Sequence, residues 1–311
     1  YDLVRRGLFP SLVASGKYLM QDTNIGSTGQ KSQTLGRLGL TQSLYAGGKD
    51  MANISAAAAA ERASEQLLTA SQNSLYADVA KKFYALLSAS KEVENIKHSI
   101  ELTQKRIGEL QKRRRIGKAR AVDVLAAEAQ HSILEASLLS AIREQAVAKN
   151  NFALVTGLEK DAVLDDTAAL PSDVAKLGDL APTIDKRPDI RALKAGVESS
   201  EFSLKAARSG DYPSLDFLAN YYFLRSQPQT SPEWDLQLAL TIPLFSGGTT
   251  RAAITGAMEK EVQANLKLQA AKRAAETEIR SAQIRLASAL EQVKVLQNAV
   301  ATTKQNYRSE E

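Results

Sequence analysis

The stretch Ser43–Gly48 (SLYAGG) recurs 200 residues later as Pro243–Gly248 (PLFSGG), and this duplication organises the whole chain. A second motif, Phe9–Leu12 (FPSL), recurs as Tyr212–Leu215 (YPSL). The offset of 200 then holds without a gap as far as Val293. Two copies are too few for a solenoid, which stacks many short repeats. The sequence therefore predicts one duplicated structural unit.

Each unit opens with two stretches in which apolar and polar residues alternate. These stretches are 11–21, 37–44, 214–224 and 233–244. Alternation over about 9–11 residues is typical of a membrane β-barrel strand, with apolar side chains toward lipid and polar ones toward a lumen. A soluble sheet with one wet face produces the same pattern, but ordinary strands average only about 5–6 residues. The length of these stretches favours the barrel.

The number of strands bears on assembly. Four strands cannot enclose a water-filled lumen, because even a small closed barrel needs about 8. Three copies of the chain would supply twelve. The strand count therefore favours a trimer.

A helical pattern without proline follows the first Gly-Gly pair, from Lys49 to Arg115. At about 1.5 Å per residue such a helix is roughly 100 Å long, which exceeds a globular domain. We expect it to belong to a coiled-coil-like assembly. Basic residues and Gly117 end it in the manner of a helix C-terminus, and a second helix is predicted at 121–155.

The predicted organisation follows from these elements. It comprises a first β-hairpin at 8–46, a long helical hairpin at 47–157 with its turn near 115–123, an irregular segment at 158–187, a short helix at 188–210, a second β-hairpin at 211–246 and a second long helix at 247–311. The offset of 200 places the second turn beyond Glu311, so the last helix is expected to stop short of its own turn. The predicted fold class is mainly α, with duplicated β-hairpins that give four strands per chain.

Composition weighs against several function classes. A net charge of +5 spread over 24% charged residues indicates a solvated surface, and we expect no nucleic-acid partner. Cysteine is absent, which excludes disulfides and thiolate metal sites in this stretch. His98 and His131 have no partner at metal-ligand spacing. We expect no catalytic residues, no metal and no cofactor, and hence no enzyme. No apolar run of 18 residues occurs, so membrane contact is expected from the strands or an amphipathic surface.

The order and spacing of the motifs resemble the TolC-like outer-membrane efflux proteins. The resemblance covers essentially the whole chain, and no single motif carries it alone. It rests on 9–12 and 212–215 (FPSL and YPSL), 242–248 (IPLFSGG), 187–190 (RPDI) followed by 206–208 (AAR), and 116–117 (IG) with 123–127 (DVLAA).

The resemblance implies a homotrimer in which a 12-stranded barrel crosses the outer membrane and an α-helical cylinder lies in the periplasm. It implies a passive exit duct of a tripartite efflux or type I secretion system. The implied partners are a periplasmic adaptor, an inner-membrane pump and outer-membrane lipid. The competing interpretation is a soluble coiled-coil structural or interaction protein with an ordinary β-sheet.

The resemblance also assigns roles to particular residues. The adaptor-docking turn would be formed by Arg115, Ile116, Gly117, Lys118 and Ala119. Asp123 would help to hold the periplasmic entrance closed, although a carboxylate there could equally serve as an N-terminal helix charge.

Aromatic residues are expected at the two membrane interfaces. Those at the periplasmic side would be Phe9, Tyr45, Tyr212 and Phe245, with Trp234 at the outer side. The alternative is that these rings pack the junction between strands and helices. The resemblance implies that residues 24–31 and 226–232 form extracellular loops.

Overall fold

The structure, a computed structural model, describes residues 1–25, 30–158, 166, 181–225 and 232–310. Within them the chain is mainly helical with one four-stranded antiparallel sheet, so the predicted fold class is confirmed. The elements are α1 Asp2–Arg6, β1 Ser11–Ile25, β2 Gln30–Ala46, α2 Lys49–Arg115, α3 Ala121–Thr156, a 3₁₀ segment Ala181–Lys186, α4 Pro188–Arg208, a 3₁₀ turn Ser209–Asp211, β3 Ser214–Arg225, β4 Trp234–Thr241 and α5 Thr249–Glu310.

The chain divides into two compact units. The first consists of Tyr1–Leu68 and Asp173–Glu311, and holds the sheet, the start of α2, and helices α4 and α5. The second is Thr69–Ser172 and holds the rest of α2 together with α3. None of the helices in the described part of the chain is long and apolar enough to span a lipid bilayer.

The sheet has the strand order β1-β2-β3-β4, so β1 and β4 form its edges. The two hairpins pair in equivalent registers. Ser11 of the first FPSL motif pairs with Thr41, and Ser214 of the second pairs with Thr241. The duplication seen in the sequence is thus repeated in the hydrogen-bonded ladder.

Three strand ends differ from the prediction. Strand β1 continues to Ile25 and β2 begins at Gln30, so both ends of the expected loop at 24–31 belong to strands and the connection is shorter than predicted. Strand β4 ends at Thr241, before Leu244, because Pro243 has no backbone N–H to donate to a ladder. The remaining parts of both predicted loops, 26–29 and 226–231, lie outside the described residues, as do 159–165 and 167–180 of the expected irregular segment.

Helix α4 is the centre of the first unit. Its side chain Ile190 is completely buried, and Ala275 of α5 is almost so. Hydrogen bonds also tie α4 to the start of α2, where Ser199 Oγ donates to the carbonyl of Ala56 at 2.9 Å. The short helix therefore contacts the first long helix of each repeat.

Ion pairs align the start of α4 with the middle of α5. Arg187 donates to both carboxylate oxygens of Asp189 and also to Glu278 Oε2 at 3.0 Å. These hydrogen bonds from Arg187 hold the pKa of Asp189 below its usual range. Asp185 lies between Lys194 and Lys272, at 2.9 and 3.0 Å. A single exposed ion pair contributes little to stability. Here two neighbouring sets of ion pairs, one around Arg187 and one around Asp185, both join the start of α4 to α5.

The second unit is an antiparallel helical hairpin. Phe83 of α2 packs against Phe152 of α3 with ring centroids 6.3 Å apart, and Gln145 donates to Ser90 Oγ at 3.1 Å. Contacting positions ascend along one helix as they descend along the other, as in any antiparallel pair. Its buried apolar side chains are Leu86, Val93 and Ile107 from α2, and Val124, Ala127, Ala141 and Phe152 from α3.

The Gly-Gly pairs at the strand–helix junctions have left-handed backbone conformations, with φ of +63° at Gly47 and +62° at Gly247. Their surroundings differ. A β-carbon at Gly47 would lie 2.7 Å from Tyr212 Cβ and 2.8 Å from the Ser209 carbonyl oxygen, whereas one at Gly247 would meet no atom within 4 Å. The first repeat therefore needs glycine here for its left-handed backbone and for lack of space, whereas the second needs it for the backbone conformation alone.

We predict that Gly47→Ala destabilises the protein more than Gly247→Ala. Both variants place a β-carbon in a left-handed conformation, at a cost of about 1–2 kcal/mol. Only Gly47→Ala adds steric overlap, which we expect to cost about 1–3 kcal/mol more. The free energies of unfolding from urea titrations of the two variants provide the comparison. Equal losses would show that Tyr212 and Ser209 move aside at no cost.

Candidate functional site in the sheet and at the helical turn

One face of the sheet is apolar across all four strands. Leu12 pairs with Leu40, Leu40 with Ala219, and Ala219 with Leu236. Residues directly opposite each other project to the same face, so this row crosses the whole sheet. Three further rows on this face run parallel to it. One contains Leu38, Tyr221 and Trp234, the second pairs Phe217 with Leu238, and the third pairs Leu215 with Leu240. Much of this face is exposed, and an apolar surface of this kind marks contact with lipid or another protein.

The opposite face is mainly polar, although it also carries Val13 and Leu218, and several of its side chains bond to one another. Arg37 Nε donates to Ser15 Oγ at 3.4 Å, and Asn220 Nδ2 donates to Asp235 Oδ1 at 2.8 Å. The guanidinium of Arg225 lies over the ring of Tyr222, 3.7 Å from its centroid. The alternation in the sequence thus separates two chemically different surfaces.

A bulge in β2 changes one assignment. The register shifts between Ser43 and Tyr45, which places Tyr45 opposite Leu215 on the apolar face. Simple alternation from Leu38 and Leu40 would put Leu44 opposite Leu215, whereas Leu44 lies in the bulge and Tyr45 takes that position. Simple alternation predicts a polar residue at position 45, so the aromatic side chain of Tyr45 was the available sequence signal for the bulge.

The predicted interface aromatics lie at opposite ends of the strands. Phe9 and Tyr212 precede β1 and β3, Tyr45 is next to last in β2, and Phe245 follows β4, while Trp234 begins β4. All five are exposed, and Phe245 reaches 91%. Exposure of that degree favours an interface over tight packing at the strand–helix junction. Contact with lipid stays a prediction.

The turn between α2 and α3 brings together the residues predicted to dock an adaptor. Gly117 has φ +71°, and the N–H of Lys118 donates to the carbonyl of Arg113 at 2.8 Å, which closes the end of α2. Arg115, Ile116, Gly117 and Lys118 are exposed, and Ala119 is half-buried. The helix cap foreseen for Gly117 is observed, and docking stays a prediction.

Asp123 is held within this turn. Its carboxylate accepts hydrogen bonds from the backbone N–H, Nε and Nη2 of Arg120, at 3.1, 3.3 and 3.0 Å. The side-chain bonds to Arg120, followed by the backbone bond, keep the pKa of Asp123 below its usual range. The helix-start role is therefore observed. A gating role would require Asp123 to exchange Arg120 for another partner, and it stays a prediction.

Sequence reasoning overlooked Arg120, a basic residue three positions before an acid, whose backbone N–H and guanidinium can both donate to that carboxylate. In the described part of the chain, no group of three or more His, Cys, Asp or Glu side chains is placed so that it could bind a metal ion. The two histidines each lie beside a glutamate on their own helix. His131 Nδ1 is 3.6 Å from Glu135, and His98 Nδ1 is 4.0 Å from Glu101.

We predict that acid weakens the start of α3. A carboxyl with a depressed pKa stabilises the fold above its unfolded pKa of about 3.9 and loses that effect as pH falls through its folded pKa. Hydrogen-exchange protection factors of the amides at 120–124 should therefore fall between about pH 5 and about pH 2. Asp123→Asn should show lower protection with little dependence on pH. Unchanged wild-type protection over this range would contradict the assignment.

Comparison with known proteins identifies the relationship. The model of the outer membrane efflux protein family matches residues 1–158 and 182–311. The chain is 23% identical over 287 residues to the probable efflux pump outer membrane protein TtgC of Pseudomonas putida, covering 82% of this chain and 55% of that protein. It is 25% identical over 255 residues to the outer membrane efflux protein BepC of Brucella suis, covering 76% and 53%. The chain thus spans about half the length of the curated relatives it matches.

Solved structures share the fold. The crystal structure of CusC matches with a TM-score of 0.85 at 18% identity, covering 97% of this chain and 72% of that one. VceC of Vibrio cholerae matches with a TM-score of 0.77 at 19% identity, covering 90% and 70%. Because the family model covers most of the sequence, and the duplicated hairpins and long helices have the same fold as these channels, the chain belongs to the outer membrane efflux protein family and to the outer membrane.

Proposed function

We propose that the chain forms part of a passive exit duct in the outer membrane, within a tripartite efflux or type I secretion system. The observation that carries this proposal is the sheet, which is mainly apolar on one face and mainly polar on the other, and whose two edges have no ladder partner among the described residues. A duct needs no catalysis, so the proposal assigns none.

The edges of the sheet supply the argument for assembly. Along β1 and β4, one side of each strand has no ladder partner within the described chain. Inside a bilayer every backbone polar group must be hydrogen-bonded, which open edges do not allow. Pairing β4 of one copy with β1 of the next satisfies both, and three copies close a barrel of twelve strands. The apolar face then meets lipid, and the polar face lines the lumen.

The helices support a periplasmic cylinder. Helix α2 has 67 residues, or about 100 Å of continuous helix, and α5 has 62 residues. Large apolar side chains such as Leu75, Leu139 and Leu154 are exposed on the single chain. Copies packed side by side would bury such residues.

The proposed partners are a periplasmic adaptor and an inner-membrane pump, with the α2–α3 turn as a docking point. Two relatives have names that assign them to efflux pumps or efflux, which supports the same role for this chain. The competing soluble coiled-coil protein is disfavoured by the family and by the exposed apolar face, which would be a liability in water.

The full-length protein should fractionate with outer membranes and require detergent for extraction. A closed barrel resists unfolding by detergent at room temperature, so its gel migration should change after boiling, and cross-linking should trap trimers. A soluble monomer whose migration does not change on boiling would contradict the barrel.

Asp123→Ala should raise the single-channel conductance of the full-length protein in planar bilayers, if the carboxylate helps to hold the entrance closed. Asp78→Ala, on the exposed surface of α2, is the matched control and should leave conductance unchanged. An unchanged conductance in Asp123→Ala would leave Asp123 with its helix-start role alone.

A further inference from the structure

The α2–α3 turn carries a cluster of cations that have no ion-pair partner among the described residues. Five lie within seven positions, and none of them forms an ion pair with another described residue, although all are exposed. They are Lys112, Arg113, Arg114, Arg115 and Lys118, called here the turn cations. Arg120 is a sixth positive charge, but it is already paired with Asp123 at 3.0 Å.

The helix end explains only part of this charge. The C-terminus of a helix carries roughly half a negative charge, which favours one or two basic residues in the last turn. Five cations exceed that, and like charges about one turn apart on the helix, such as Lys112 and Arg115, repel one another. The excess positive charge at the turn is unfavourable in the isolated chain. Negative charge on a bound partner would offset this repulsion.

The turn also has apolar contact area and a recess. Ile116, Val122 and Leu125 are 66%, 68% and 62% exposed. Between the end of α2 and the start of α3 lies an open recess of about 390 Å³. It is lined by Gln111, Arg114, Arg115, Val124, Leu125 and Glu128.

The lining of the recess indicates what it would accept. Buried Val124 and exposed Leu125 contribute apolar surface to the lining, and Arg114 and Arg115 contribute two guanidinium groups. A guanidinium can bind a carboxylate through two parallel hydrogen bonds. Glu128 already receives a 3.4 Å hydrogen bond from Gln111. The recess thus suits an apolar side chain flanked by carboxylates.

We propose that the segment of the partner protein that docks on this turn is acidic, with carboxylates flanking an apolar side chain that enters the recess. This inference rests on the proposed docking function and adds the chemistry of the partner. A protein segment fits better than a membrane surface, since a membrane-binding helix lays a long apolar face along the interface. The surface here is a short turn with a concave recess.

The test measures binding of the detergent-solubilised full-length protein to the purified periplasmic adaptor of its own pump by surface plasmon resonance at increasing salt. The test variant is Lys112→Gln/Arg113→Gln/Arg114→Gln. The control, Lys81→Gln/Lys97→Gln/Arg106→Gln, removes the same charge from the same helix. Anionic phosphatidylglycerol vesicles form a third arm.

The turn variant should bind the adaptor about tenfold more weakly than wild type at low salt, since three exposed charge pairs are lost. Its affinity should also depend less on salt, because salt screens exposed charges. The control should bind as wild type does. Equal binding by wild type and the turn variant, with no salt dependence, would overturn the acidic partner and leave docking intact.

Two other results would overturn the inference differently. Failure of the wild type to bind the adaptor at any salt would remove the docking function, and the inference with it. The other result is that the wild type binds the anionic vesicles and the turn variant does not, while both bind the adaptor equally well. That result would assign the turn cations to a lipid headgroup.

Discussion

The backbone hydrogen-bonding groups along the outer sides of β1 and β4, which have no ladder partner among the described residues, are the constraint on which the rest of this structure depends. A sheet with an exposed apolar face and two open edges is stable neither in water nor in lipid as a single copy. In the proposed assembly, closure through copies of the same chain would satisfy both edges at once. The membrane role, the trimer and the lumen in the proposed function all follow from that requirement.

The same requirement makes the junctions between strands and helices important. Each hairpin leads into a long helix through a Gly-Gly pair, and Gly47 lies against the backbone of Ser209 just before β3. Helix α4 fills the space between the repeats, with Ile190 buried and Arg187 joined to Glu278 of α5. The two halves of the duplication are therefore linked by packing and by charge as well as by the β2–β3 ladder.

The α2–α3 turn shows how one short segment can serve structure and recognition. Gly117 and the Arg120–Asp123 pair close the two helix ends using local bonds alone. The backbones of Arg113 and Lys118 share in that closure, but the charged side chains of the turn cations take no part in it. Their charge is free for a partner, which gives the docking role a physical basis separate from the cap.

The sequence by itself determined the duplicated unit, the bounds of α2 and the separation of the sheet into two faces, because periodicity and glycine positions act locally. It also placed the predicted docking residues in one turn. Only the tertiary structure decided the bulge that turns Tyr45 to the apolar face, the pairing of Asp123 with Arg120 and the contact that makes Gly47 differ from Gly247. Each of these depends on which atoms meet across elements or around a turn, and a one-dimensional pattern of apolar and polar residues does not contain that information.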